Sequence, residues 1–595
     1  MKISGGTITA NTGGIGGGRA KAGVGGDSEI TISGAEITAN SIGGGQSAQN
    51  TGGNVTLKVS DGTLRVKDFI GGGIGGINKD LIGWAKVHIS GGDISGRTVM
   101  RASKSGGCEF SMTGGKLTSP ITDQPGGAVY MIDPNGVATM SGGTIYGCTG
   151  TTGGAIYMSG GTFTISGNAV MQNNKAANGG AVYLDGTGKL QVDGGTIQGN
   201  EVSANGGALY LNDGTFTMTG GKVMTNRSEG GHGAGIYIAS GSVNVNGGEV
   251  SGNVATAGKG GGFYVNGGEV ILSNGLIASN AAALAGGGIC LEGSSIEVNG
   301  CTLTNNEATA GNGGGIFLSG SASMTYNGGK LTYNKATGSG DFKTAYYSPS
   351  DIQGVGGGIY ISNGSSLTFG DLSNLGIYAN SATMAADDLF ADGNGTTLVV
   401  PNISAMSLQD YAGNAEGLGW YEDYFAGDTS YSKEDVARDK NKSTFTYRFK
   451  KAQELGATDG LREYILSETT KTFQNIYVAF ALGFKSSDLI IQVKGLVPGE
   501  SCVFSVRGTA DSGKYNYQIP IHGTNAEIDQ QRIVRLPVDV YTVELLQLWP
   551  WAYDKFTPTD RKITRLNSEN EGVYEFKVGH KSTSIAHDED YVKNK

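Results

Sequence analysis

One pattern constrains this chain more than any other: a unit of about 27 residues that returns again and again. "GGAIYM" at 153–158 comes back as "GGAVYL" at 179–184. The motif glycine-glycine-x-aliphatic-aromatic sets Tyr130, Tyr157, Tyr183, Tyr210, Tyr237 and Tyr264, then Cys290, Phe317 and Tyr360. The steps are 27, 26, 27, 27, 27, 26, 27 and 43 residues, the last holding an insertion. So short a unit cannot enclose a core, so each copy must bury its apolar face on the next. Each period carries three strand-like runs, for example "AIYM" (155–158), "TFTIS" (162–166) and "AVMQ" (169–172), separated by SGG, SGN, DGT and DGG turns. No helical period runs through them. The expected fold is therefore all-β: a right-handed parallel β-helix with three strands per coil, coils stacked at about 4.8 Å.

Composition agrees. There are 106 glycines in 595 residues, far above the usual ~7%. No Gly-X-Y triplet runs through them, and only 10 prolines accompany them, so tight turns are expected rather than collagen or disorder. The net charge is -10 with no Lys/Arg block, which argues against nucleic acid and acidic membrane surfaces as partners. The five cysteines (108, 148, 290, 301 and 502) are scattered without a CxxC, and are read as small buried apolar residues. No apolar run is long enough to span a membrane. The start, "MKISGGTITAN", lies inside a repeat ("ISGGTITAN" at 3–11 against "ISGAEITAN" at 32–40) and has no apolar leader. A fragment, or a start missing an upstream export segment, is expected, with a cytoplasmic protein as the alternative.

A second motif, an aliphatic residue followed three later by asparagine, gives the register. It appears at Ile8/Asn11, Ile37/Asn40, Val170/Asn173, Ile197/Asn200, Val223/Asn226, Val250/Asn253, Ile277/Asn280, Leu303/Asn306, Leu331/Asn334 and Ile377/Asn380. Stacked asparagines can satisfy the backbone of a corner. Strand parity places Ile156 and Met158 inside and Tyr157 outside, with Ala155 and Ser159. The tyrosines then form an external column. Tyrosine offers a flat apolar face and a hydroxyl, and a glycan lying along the coils could meet one ring per sugar. Asp185, Asn212, Asn266 and Glu292 stand beside it. The alternative is a purely structural ladder.

The GGA-[ILV] and aliphatic-x-x-Asn pair resembles the repeats of polymorphic outer membrane proteins and related right-handed β-helix adhesins, over roughly 126–380 and more loosely over 1–125. That resemblance implies an exported bacterial surface protein that mediates adhesion. The expected ligand-binding residues are Tyr130, Tyr157, Tyr183, Tyr210, Tyr237, Tyr264, Phe317 and Tyr360. With them go Asp341, Lys343, Tyr346, Tyr347 and Asp351 of the insertion "TGSGDFKTAYYSPSDIQG" (337–354), which should overhang the tyrosine face. The looser turns of 1–125, such as "NTGGIGGGRAKAGVGGD", resemble Gly-rich coils of bacterial β-helical carbohydrate-binding domains. Calcium is a weak option at "GVGGDSE", which lacks the repeated aspartate of calcium-binding nonapeptides; no cofactor is expected. Pectate lyases and polygalacturonases share the β-helix, but their chemistry needs clustered carboxylates. Here the outward positions are Ala, Gly, Tyr, Ser and Asn, so a binding protein is favoured over an enzyme. A structural spacer or assembly module is the first alternative, a carbohydrate-active enzyme the second. His232 in "GGHGAG" is read as a turn residue without a partner.

The organisation expected is Gly-rich irregular coils (1–125), regular coils (126–380), a cap and linker with helix-friendly stretches (381–484), and a small β-sandwich (485–595). "KGLVPGESCVFSV", "LPVDVYTVELLQLWPWAY" and "GVYEFKVGHK" resemble the transthyretin-like, Cna B-type stalk domains of bacterial surface proteins. An internal isopeptide bond from Lys494 is not expected, because Phe576-Lys577-Val578 stands where that family places its asparagine. No outer-membrane barrel is expected from this chain, since it does not end in alternating strands of about ten residues.

Overall fold

The computed structural model describes residues 1–401 except 11–13, 19–20, 22–23, 48–50, 73–82, 101–106, 120, 339–352, 385 and 394, together with the strands from Gly419–Glu422 onward. The chain divides into two compact units, Met1–Leu276 with Ser294–Glu297, and Ile277–Gly293 with Val298–Lys595. Among the described residues there is no helix.

In the first unit every coil is a turn of a parallel β-solenoid. The tyrosine strands Val129–Met131, Ile156–Met158, Val182–Leu184, Leu209–Leu211, Ile236–Ile238 and Phe263–Val265 pair in exact repeat register, Tyr130 on Tyr157 on Tyr183 and so on. Two further strands complete the coil, for instance Thr162–Ile165 and Val170–Gln172. A fourth strand of two residues, such as Lys175–Ala176 or Glu201–Val202, follows the asparagine corner; the sequence reading had three. Residues 1–125 obey the same register. Ile8 stacks on Ile37, Leu64, Ile94, Leu117 and Ile145 in turn, and Ile145 on Met171.

The core is the inside of the coil. Ile156, Met158, Val182 and Leu184 are fully buried, each apolar side chain contributing about 1.5–3 kcal/mol. Large and small residues alternate where needed: Phe110 and Phe163 are two coils apart yet meet at 6.1 Å, because the residue between them is Ala138.

The second unit repeats the plan with strands Ile289–Glu292, Ile316–Ser319, Ile359–Ile361 and Leu389–Ala391. Its last coil is closed by antiparallel strands: Leu389–Ala391 pairs with Val478–Gly483, and Thr397–Val400 with Lys471–Gln474. A parallel edge left open would expose backbone donors and acceptors; these strands satisfy them. The helix-friendly stretches at 432–440 and 449–468 lie outside the described residues, except that Glu463–Ile465 is a strand and not a helix. Beyond Ser486 the strands form two four-stranded sheets. Ile491 and Val493 are buried in one, Phe504, Val506 and Ile519 in the other. Lys494 lies in parallel register with Lys577.

Candidate functional site

The tyrosine face begins at a corner that only small residues can build. Gly179 has φ +65, which L side chains rarely adopt. Gly180 runs so close to the next coil that a Cβ would lie 2.1 Å from the Gly207 carbonyl oxygen. The third position is Ala155, Ala181 or Ala208 in successive coils, each with no exposed surface. These alanines do not point outward beside the tyrosines, as strand parity suggested; the corner has already turned the chain inward there. Where that position is glycine, as at Gly235, a Cβ would meet the Asn253 amide at 3.2 Å. The small corner and the asparagine corner are therefore packed on each other.

Tyr130 to Tyr264 form one stack in the first unit. Successive ring centroids are 5.4, 5.6, 4.9, 4.7 and 5.0 Å apart, with interplanar angles of 3–18°. The rings therefore lie face to face along the stacking direction, and the flat faces expected to receive sugars are taken by neighbouring rings. One face of Tyr130 is also covered, and a second ring packs on Tyr264 beside Tyr237. The Arg97 guanidinium sits 4.8 Å over Tyr130, held by hydrogen bonds to the carbonyls of Pro125 and Gly126. The His232 ring stacks on Tyr264 at 4.6 Å. His232 is thus not an unpartnered turn residue: its N–H donates to Asn205 Oδ1, and its Nδ1 accepts the Lys259 N–H at 3.0 Å.

The stack is graded in exposure. Tyr130, Tyr157, Tyr183 and Tyr210 are half-buried, whereas Tyr237 and Tyr264 are 9% and 5% exposed. In the second unit Phe317, Tyr360 and Phe390 form a second stack at 5.1 Å spacing. Tyr360 is 3% exposed, packed with Val355 and Ala386, and donates its hydroxyl to Asp392 Oδ2 at 2.7 Å. Tyr237, Tyr264 and Tyr360 are therefore removed from the open surface predicted for them. Cys290, in the aromatic position, is fully buried. Asp341, Lys343, Tyr346, Tyr347 and Asp351 lie outside the described residues.

What the open part presents is ring edges and hydroxyls. Asp185 is its polar centre: Oδ2 accepts the Tyr157 hydroxyl at 3.3 Å, while Oδ1 accepts Asn212 Nδ2 at 3.0 Å and the Gly186 N–H at 2.9 Å. No partner among the described residues takes the hydroxyls of Tyr130, Tyr183 or Tyr210. Burial, then the charge of Asp185 and neighbouring phenols, raises the Tyr157 and Tyr183 pKa values, the latter to about 12.

On the inner side, asparagine forms the ladder the motif implied, with two corrections. Asn40 is half-buried and makes no ladder bond among the described residues, while Asn11 lies outside them. The second concerns the coil at 170. There the ladder residue is Asn174 below Met171, not Asn173 below Val170. Asn174, Asn200, Asn226 and Asn253 each have no exposed surface beyond 1%. The backbone N–H and the Nδ2 of Asn200 both donate to Asn226 Oδ1, and the same Nδ2 donates to the Met171 carbonyl. The second unit repeats this through Asn280, Asn306, Asn334 and Asn380. Two ladder ends escaped the sequence reading. Cys148 occupies the asparagine position before Asn174, its N–H donating to Asn174 Oδ1. Asp388 ends the other ladder, its Oδ1 accepting both Asn380 donors. "IYGC" at 145–148, an aliphatic residue three before a polar one, was the available signal for the first.

Several carboxylates of the coils are paired with lysine. Glu201 pairs with Lys175 at 3.0 Å, Glu249 with Lys222 at 2.8 Å, and Glu307 with Lys335 at 3.8 Å. Asp27 of "GVGGDSE" accepts the Asn54 N–H, and Asn54 Oδ1 accepts the Trp84 N–H, which makes a corner ladder of these side chains. No group of three or more possible metal ligands occurs among the described residues. No helix among them is long and apolar enough to cross a membrane, which leaves strands out of account. All five cysteines are buried thiols.

No curated protein and no solved structure matches the chain. Residues 181–381 match the family model described as a right handed beta helix region, a stretch that takes in Tyr183 to Tyr360 and Asn200 to Asn380.

Proposed function

We propose that this chain is a non-catalytic β-solenoid scaffold of a bacterial surface adhesin. Its open tyrosine edge, Tyr130 to Tyr210, contacts an extended neutral glycan through hydroxyls rather than ring faces. Face-to-face stacking carries this reading: it consumes the faces and leaves a row of phenol oxygens repeating with the coils, with Asp185 and Asn212 alongside. A right-handed β-helix is compatible with surface proteins and with carbohydrate-active enzymes. The pairing of Glu201, Glu249 and Glu307 with lysines favours the former, because glycoside cleavage needs two carboxyl groups facing one another.

The test replaces Tyr157, Tyr183 and Tyr210 together by phenylalanine, which keeps the stack and removes the hydroxyls. On a glycan array the wild-type chain should retain neutral polysaccharides and the triple variant should lose them by about tenfold or more. Wild-type protein that retains no glycan would leave the second reading, a structural spacer or assembly module, favoured by ring faces that are consumed by stacking and by Arg97 and His232 packed on Tyr130 and Tyr264.

A further inference from the structure

We propose that the tyrosine column is a site of one-electron oxidation, with Tyr157 as the residue modified. An external one-electron oxidant, of the haem-ferryl or photo-oxidised metal-complex class, takes one electron from the column and is reduced by one. The O–H proton of Tyr157 passes to Asp185 Oδ2, and a neutral tyrosyl radical remains. This inference is independent of glycan binding.

Electrostatics selects the residue. Positive charge on the column is opposed at one end by the Arg97 guanidinium, 4.8 Å over Tyr130, and attracted by the Asp185 carboxylate. Proton transfer requires an acceptor within hydrogen-bond reach, and Tyr157 is the phenol that donates to Asp185. Asp185 is prepared for this role, since Asn212 and Gly186 bond to Oδ1 and leave Oδ2 to the phenol. Tyr157 lies between Tyr130 and Tyr183 at 5.4 and 5.6 Å, so an electron lost anywhere along the stack can be replaced from Tyr157 through ring contacts. Like any phenol, Tyr157 keeps its proton at neutral pH, so electron and proton leave together.

The whole chain is illuminated with a ruthenium tris-bipyridyl complex and persulfate in the presence of a nitroso radical trap, and the adducts are mapped by peptide mass spectrometry. The trap should mark Tyr157 above Tyr130, Tyr183 and Tyr210. Asp185→Asn, which preserves the Oδ1 contacts, should lower the Tyr157 share by about tenfold, and Tyr157→Phe should move the adduct to Tyr183. Labelling spread evenly over the four tyrosines, or a Tyr157 share unchanged in a folded Asp185→Asn protein, would overturn the proposal.

Discussion

Each ladder asparagine is preceded by a residue in the left-handed region: Asn173, Gly199, Thr225 and Gly252 in the first unit, with φ of 57, 58, 54 and 63. Ser279, Asn305, Tyr333 and Ala379 do the same in the second. This explains the misplaced asparagine. "QNN" at 172–174 offers two candidates, and the turn spends the first on its positive φ, which asparagine tolerates, and the second on the ladder. Glycine in the same place at 199 and 252 was the sign, but a single sequence does not say which of two asparagines a turn will take. A β-branched residue fits this place poorly, so Thr225→Asn should raise stability by about 0.5–1 kcal/mol, read as a higher urea midpoint. Asn226→Ala should act in the other direction. It leaves the backbone N–H and Nδ2 of Asn200 without their buried acceptor and should cost about 2–4 kcal/mol by the same measurement.

At the scale of the element, the corner and the strand after it divide their labour by sterics. Gly180→Ala would place a methyl against the Gly207 carbonyl, a contact no side-chain rotation relieves, so coils must separate. A loss of more than about 3 kcal/mol, or failure to express folded protein, is expected. The tyrosine strand also carries a pH response. In the folded chain the Tyr183 phenol is raised to about 12, against an ordinary value of 10, so between those values the folded state keeps a proton that the unfolded state has lost. Stability from this group is complete below pH 10 and falls as pH rises toward 12. Absorbance titration near 295 nm should show several late-ionising phenols, one fewer in Tyr183→Phe.

For the whole molecule, a net charge of -10 bears on partners more than on fold. If the tyrosine edge binds glycan through hydroxyls, neutral polysaccharides should be held with little dependence on salt between low and high ionic strength, while heparin and polygalacturonate should be rejected. Tight, salt-sensitive heparin binding in calorimetry would contradict that. The strands after Ser486 were legible as short runs rich in apolar and β-branched residues: "SCVFSVRG" is the strand Ser501–Gly508.

The sequence alone determined the period, the inward and outward sides of the tyrosine strands and the glycine corner, because these follow from residue spacing, strand parity and the space a Cβ needs. Met158 inside and Tyr157 outside could be read from neighbours along the chain. The planes of the tyrosine rings could not. They are set by partners 26 or 27 residues away, one coil above and below, and by Arg97 against Tyr130 and His232 against Tyr264. Spacing says that a tyrosine leaves the core; only the stacked coils decide whether it shows a face or an edge.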